Sequence, residues 1–304
     1  MNVSRRTLLL GGAAALTVSG LSTRRVLAEA RMSLGGMQID IVSDGHLTLP
    51  RDFILGGLPE AELAPILARH AIGDGPLMPP CNLTLVRHDD RVILFDVGSG
   101  PDFMPTAGML PDTLDAMGIS PEDVTHLVMT HAHPDHIWGI QDDFGDLFLP
   151  NAQLFIGRAE FDYWMDDNTL TTIGTERQTF AAGAKRRLED LADLFTLFDD
   201  GEEILPGVAA RATVGHTPGH MSFILRDGSE SLLVTGDALG NDHVAFEQPS
   251  WQTGSDQDGA TAAQTRVALL DQITNEQMAI AGFHLPGGLG RVERDGSGYR
   301  FVTA

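Results

Sequence analysis

Residues 131–136 read His131-Ala132-His133-Pro134-Asp135-His136, three imidazoles and a carboxylate within six positions. These side chains are ligands for Zn, Fe, Mn, Co or Ni, and no thiolate is among them. His131 and His133 are two apart, so an extended segment projects both to one side. Asp135 and His136 are adjacent and must diverge, which suits two neighbouring ions better than one. A surface turn that is merely rich in histidine would need no further ligand candidates downstream, and this chain has several.

The segment just before the cluster, Val124-Thr125-His126-Leu127-Val128-Met129, is β-branched and apolar enough for a buried strand. Pro134 then breaks regular pairing. A polar cluster at the carboxyl end of a strand is where α/β proteins hold ligands. Downstream come Gly215-His216-Thr217-Pro218-Gly219-His220, Thr235-Gly236-Asp237 and Gly282-Phe283-His284-Leu285-Pro286. Upstream, Ile93-Leu94-Phe95-Asp96-Val97-Gly98 ends a strand-like run on an aspartate.

In the order and spacing of these motifs the chain resembles the metallo-β-lactamase-fold hydrolases over most of its length. The resemblance implies an α/β fold of the α/β/β/α four-layer sandwich type. It implies that His131, His133 and His216 hold one divalent ion and that Asp135, His136 and His284 hold a second. Asp237 would bridge the two, and zinc is the first expectation, with Fe, Mn, Co or Ni as alternatives. A hydroxide between the ions would attack the substrate, with Asp135 and Asp237 the catalytic carboxylates.

The C-terminal third narrows this to a branch. His243-Val244-Ala245-Phe246 after Asp237, and the segment opened by His284, are similar to the methyl-parathion-hydrolase branch. That similarity implies hydrolysis of a neutral organophosphate triester or aryl ester, with Trp164, His243 and Phe246 as pocket walls. The alternative branch is the quorum-quenching lactonases, which carry a Tyr shortly after the bridging Asp; Ala238, Leu239 and Gly240 stand here instead. From another class altogether, a periplasmic metal-binding accessory protein without turnover is the competing reading. His220 is expected to support the ligands rather than join them. His126 is expected to be a hydrogen-bonded core residue.

These residues need a scaffold, and the composition supplies one. The 304 residues are 42% hydrophobic, and once residues 1–28 are set aside the rest is compatible with one domain over 29–304. Residues 1–28 are read as a twin-arginine signal peptide. Arg5-Arg6 is followed by an apolar stretch and then by Val26-Leu27-Ala28, which fits a small-residue cleavage site. This predicts recognition by the twin-arginine export machinery and a soluble periplasmic protein, with no stretch suited to a membrane span. The formal charge is −22, and an acidic surface of that size repels nucleic acid and anionic membranes and favours uncharged substrates. The single cysteine, Cys81, excludes an intrachain disulfide and reads as a small buried residue beside a strand, or as a neighbour of the metals.

Along the chain, 38–42 alternates as a first strand, and 83–87 with 91–96 forms a hairpin. Residues 50–80 make an irregular excursion with a short helix at 59–70. In the resembled family such an excursion covers the site or forms a contact between two copies, so a homodimer is compatible. Helices are expected at 111–118, 160–165, 180–198 and 261–273, and strands at 152–157, 208–214, 222–226, 231–235 and 277–281.

Overall fold

The alternation at 38–42 lies inside a ten-residue strand in the computed structural model, which describes residues 28–142 and 144–304. Its neighbours form a seven-stranded sheet in simple sequence order. The strands are β1 (Ala28–Leu34), β2 (Met37–His46), β3 (Pro80–His88), β4 (Arg91–Phe95), β5 (His126–Val128), β6 (Gln153–Gly157) and β7 (Phe195–Phe198). The first four pair antiparallel, and β4 to β7 pair parallel. The second sheet holds β8 (Glu203–Leu205), β9 (Val208–Ala212), β10 (Met221–Asp227), β11 (Glu230–Val234), β12 (Ala279–Ala281), β13 (Leu289–Asp295) and β14 (Gly298–Thr303). Its only parallel pair is β11 with β12, spanned by the long helix Gly259–Glu276.

The two sheets share one core. Ile39, Ile41, Val86, Phe95 and Val128 from the first pack with Phe223, Leu225, Leu232, Val234 and Leu289 from the second. The outer face of the first sheet is covered by the helices Leu110–Met117, Arg158–Met165 and Gln178–Asp190. The helix Gly259–Glu276 covers the second, burying Leu269, Leu270 and Ile273. Helix, sheet, sheet and helix give the expected four layers.

Local signals explain most of the boundaries. Gly118 takes φ 70° and closes its helix with a left-handed cap, as a glycine after the last turn does. Asp258 accepts a hydrogen bond from the backbone N–H of Thr261 and opens the long helix. The excursion contains the helices Arg51–Leu55 and Glu60–Arg69, whose Ile54, Leu55, Leu63 and Ile66 form a small core of their own against Val244. It is therefore a built wall rather than a loose loop.

One expectation needs correction. Residues 180–198 are not one helix: the helix ends at Asp190, and Phe195–Phe198 is the edge strand β7. Pairing with β6 overrides a helical spacing that happened to run on through Leu191 and Phe195. The strand β1 and the C-terminal hairpin β13–β14 were also not expected from the pattern. The signal-peptide reading falls almost wholly on residues 1–27, which lie outside the described residues. Among the described residues no helix is long and apolar enough to cross a membrane.

Candidate metal centre

Every proposed ligand sits where a strand gives way to a loop at one edge of the sandwich. β5 ends at Val128, and the chain then runs through His131 and His133 into the one-turn helix Pro134–Ile137. β11 delivers Asp237, β12 delivers His284, and the connection between β9 and β10 delivers His216. All seven candidate side chains are buried.

Hydrogen bonds at the far side of each ring fix the tautomers. His136 Nδ1 lies 2.8 Å from Asp96 Oδ2, so it carries a proton and Nε2 is the nitrogen turned inward to the cluster. His284 Nδ1 donates to the carbonyl of Pro80 at 2.7 Å, again turning Nε2 inward. His216 Nδ1 faces Asp256 Oδ1 at 3.2 Å. The hydroxyl of Thr130 donates to Asp96, so its oxygen accepts from His131 Nδ1 at 3.0 Å. His133 Nε2 faces the side-chain amide nitrogen of Gln257 at 3.2 Å, while the Gln257 oxygen accepts from the Tyr163 hydroxyl.

The remaining ring nitrogens therefore face one another and the two carboxylates. His133 Nδ1 lies 3.0 Å from His131 Nε2 and 2.9 Å from His216 Nε2. Asp135 Oδ2 lies 3.5 Å from His136 Nε2 and 3.3 Å from His284 Nε2. Asp237 stands between the groups, with Oδ2 at 3.2 Å from both His216 Nε2 and His284 Nε2, and Oδ1 at 3.3 Å from His136 Nε2. Asp135 Oδ2, His136 Nε2 and Asp237 Oδ1 are buried without a hydrogen-bond partner. A tetrahedron with 2.0–2.1 Å bonds has edges of about 3.3 Å, close to these separations. The donor set thus fits divalent cations: His131, His133 and His216 form one group, Asp135 joins His136 and His284 in a second, and Asp237 reaches both.

Electrostatics agree with that fit. Burial pulls every ring toward the neutral form, and it wins at His131 and His133, which are held well below the ordinary value. At His216 and His284 burial is outweighed by Asp237, aided by Asp256 and Asp135 respectively, and they are held up at about 9 and about 10. His136 is raised in the same way. Burial pushes Asp237 up, but His284, His136 and His216 overcome it and keep it ionised. The site is a charged cluster whose protons a metal would replace.

The supporting shell holds residues that were not anticipated in the sequence. Glu160 is fully buried and accepts from Ala132 N at 2.9 Å, between the two histidines of the H-x-H pair. It also accepts from the hydroxyl of Thr217 at 2.6 Å and from Gly219 N at 3.1 Å, so one carboxylate ties the His131–His133 loop to the His216 loop. A Cβ at Gly219 would meet the backbone of Glu160 at 2.1 Å, and the glycine permits that approach. Asp256 is held by Arg266 and the Thr253 hydroxyl while it orients His216. Asp96 takes φ 63°, a strained backbone for a non-glycine residue, and in that conformation reaches both Thr130 and His136.

His220 behaves as expected: its Nε2 accepts from Asp237 N at 2.9 Å, and burial holds it neutral, at about 3. His126 pairs with the Thr125 hydroxyl at 2.7 Å in the sheet. Cys81 is buried with its sulfur near Asp135 and His284, so the small-residue and metal-neighbour readings both hold. Burial, Asp135 and Asp44 push its thiol well up, which keeps it an unreactive S–H.

A cavity of about 300 Å³ opens onto the cluster, with His133, Asp135, His216, Asp237 and His284 in its floor. Its walls are Leu47, Leu49, Phe53 and Ile54 from the excursion, with Phe103, Met104 and Phe180. Two expected wall residues are elsewhere. Trp164 is 1% exposed, packs edge-on to His133 and spends its indole N–H on Glu160. Phe246 is fully buried in the outer core of the second sheet, near Phe301. Both are core aromatics, because their large apolar surfaces close layers rather than face a ligand. His243 lines a smaller adjoining cavity, not this one.

This fold and this ligand set define a class, the metal-binding αββα sandwiches that bring histidine and aspartate to one sheet edge. The chain belongs to the metallo-beta-lactamase superfamily, whose profile matches residues 78–142 and 146–284. It is 32% identical over 131 residues to the N-acyl homoserine lactonase AttM of Agrobacterium fabrum (strain C58 / ATCC 33970), a match covering 42% of this chain and 46% of that relative. The chain thus spans about half the length of that lactonase. Among solved structures it is similar to AidC, a dizinc quorum-quenching lactonase, with a TM-score of 0.84 and 25% identity over 90% of this chain and 97% of AidC. It is also similar to the hydrolase AbOPH in the beta lactamase superfamily, with a TM-score of 0.83 and 27% identity over 90% of this chain and 96% of that one. AttM and AidC are lactonases, which corrects the expected kinship to the methyl-parathion-hydrolase branch.

Proposed function

We propose that this protein is a dinuclear zinc hydrolase of uncharged esters, with lactones and carboxylic esters its preferred substrates. One observation carries the reading: seven buried ligand side chains converge, with neighbouring ring nitrogens and carboxylate oxygens 2.9–3.3 Å apart, beneath a largely apolar cavity. The dizinc character of AidC and the lactonase activity named for AttM support the metal and the substrate class.

Divalent cations held there supply Lewis acidity, which activates water and polarises the electrophile's oxygen. The chain does the rest. Leu47, Phe53, Phe103 and Phe180 exclude bulk water and press an apolar acyl arm against the cluster. Asp135 lines the cavity as a carboxylate, placed to take the proton that the attacking water gives up and return it to the leaving alkoxide. Thr130, Asp96, Asp256 and Glu160 hold the rings in place, so the geometry is preformed. The net charge of −22 adds repulsion for anionic substrates.

The test compares kcat/KM on one zinc-loaded preparation for a long-chain homoserine lactone, an aryl ester and a p-nitrophenyl phosphotriester. The lactone or the carboxylic ester is expected to exceed the phosphotriester by tenfold or more, about 1.4 kcal/mol of discrimination. A tenfold phosphotriester preference would replace this reading by a phosphotriesterase one, which the absence of Tyr at 238–240 favours. No turnover of any of the three would leave the metal-binding accessory protein as the better account.

The proposal includes folded export to the periplasm, supported by Arg5-Arg6, the apolar stretch after them and Val26-Leu27-Ala28. Replacing both arginines by lysine is expected to strand the precursor in the cytoplasm, measured by cell fractionation. Undiminished delivery of that variant would remove the twin-arginine route.

A further inference from the structure

The cavity over the metal ligands has a neighbour of about 170 Å³. Ile54, Pro79, Gly240 and His284 belong to the walls of both. Of these, Gly240 has no conformational reason to be glycine. Its φ is −77°, an angle any residue adopts, and a Cβ built there meets nothing nearer than a carbonyl oxygen at 3.8 Å. The position has room for a side chain and carries none.

We propose that the two cavities are one two-armed substrate site joined across Gly240, with the acyl arm of an ester in the larger and an uncharged, ring-sized alcohol arm in the smaller. The inference rests on the hydrolase reading for the word ester, but the shape argument does not. His284 belongs to both walls and to the ligand set, so a scissile bond at the cluster lies between the arms. The larger cavity is walled mainly by leucine, isoleucine, methionine and phenylalanine, with Glu176 and Arg177 also in its lining, and its largely apolar surface suits hydrocarbon. The smaller has an apolar side, Ile72 and Leu77, and a polar side, Asn241, Asp242 and His243. Asp242 and the acidic chain oppose an anion there. Burial and the nearby His70 hold His243 down at about 4, so it presents a neutral ring to the arm.

The test uses the full chain loaded with zinc and three hexanoate esters: methyl, benzyl and 4-carboxybenzyl. Wild type is expected to favour benzyl over methyl, and to cleave the carboxybenzyl ester at least tenfold less well than benzyl. Gly240→Leu, which places a side chain at the junction, is expected to lower the benzyl-to-methyl ratio of kcat/KM at least tenfold. The methyl ester, which leaves the smaller arm empty, should lose less than the benzyl ester, and zinc content should not change. Should Gly240→Leu fail to fold or to hold zinc, Ile72→Trp fills the smaller cavity from its far side and is expected to give the same change in ratio. Calorimetric binding of benzyl hexyl ketone against methyl hexyl ketone reads the site without turnover. Preferential binding of the benzyl ketone, lost in either variant, with no ester cleaved would sustain the two-armed site and sink the hydrolase reading. An unchanged ester ratio with equal ketone affinities in a folded, zinc-loaded variant would overturn the inference.

Discussion

Asp237→Ala is expected to leave a folded protein that keeps at most one metal per chain and loses about 10³-fold in kcat, roughly 4 kcal/mol of transition-state stabilisation. Asp237 is the one side chain whose oxygens reach ligand nitrogens of both groups, at 3.2 Å from His216 and His284 and 3.3 Å from His136. It is also the strongest opposite charge acting on those three rings. Without it, His131, His133 and His216 still form a three-histidine set, so one ion remains bound. The second group keeps only Asp135, His136 and His284 and has no link to the first. Elemental analysis beside a rate measurement checks both halves. Two ions per chain with activity within tenfold of wild type would remove Asp237 from the bridging position. Asp237→Asn separates charge from shape, since it keeps the side-chain volume and gives up the negative charge.

The candidate ligands were legible in the sequence and the cavity walls were not, and the reason is physical. A ligand must be one of few residue types at a loop of fixed position, so His131, His133, Asp135, His136, His216, Asp237 and His284 stand out against the strands that carry them. A wall can be any apolar residue. Trp164 and Phe246 were expected there only through the resemblance to one branch of the family. Yet the first closes the core behind Glu160 and the second closes the layer beneath Phe301. The true walls, Phe53, Phe103 and Phe180, come from segments with no motif at all. The same asymmetry hides the supporting carboxylates. Glu160 reads from sequence as an exposed helix residue near an N-terminus, and only the packing of Gly219 against it shows that it is buried. Asp256 lies in a polar loop, and nothing local marks it as the partner of His216. Strand edges were the other blind spot. β7 is only four residues long and follows a helix without a Gly or Pro between them, so the helical spacing ran through the boundary.

Stripping the metal is expected to change the protein's response to pH, and loading it is expected to expel close to three protons. In the metal-free chain His136, His216 and His284 are held protonated, the last two up to about 9 and about 10. His131 and His133 are already neutral, and Asp237 and Asp135 are already ionised, so those four release nothing at pH 7.5. Three ligands must therefore lose a proton to bind, and calorimetry in two buffers of different ionisation enthalpy counts them. A count below one would mean that the rings are neutral before the metal arrives, and the charge balance drawn here would fail. The sign for stability follows from the same shifts. An unfolded histidine titrates near 6.5. A folded value raised above that adds stability that is fully present below about pH 6.5 and is lost as pH rises through about 9 to 10. The chelator-treated protein should thus lose melting temperature between pH 7 and 10.5, as buried Asp135 and Asp237 are left facing neutral rings. The loaded protein keeps its rings neutral by ligation throughout, so the gap in melting temperature between the two forms should widen over that window. A gap that narrows instead would show that desolvation, not the carboxylates, governs these three histidines.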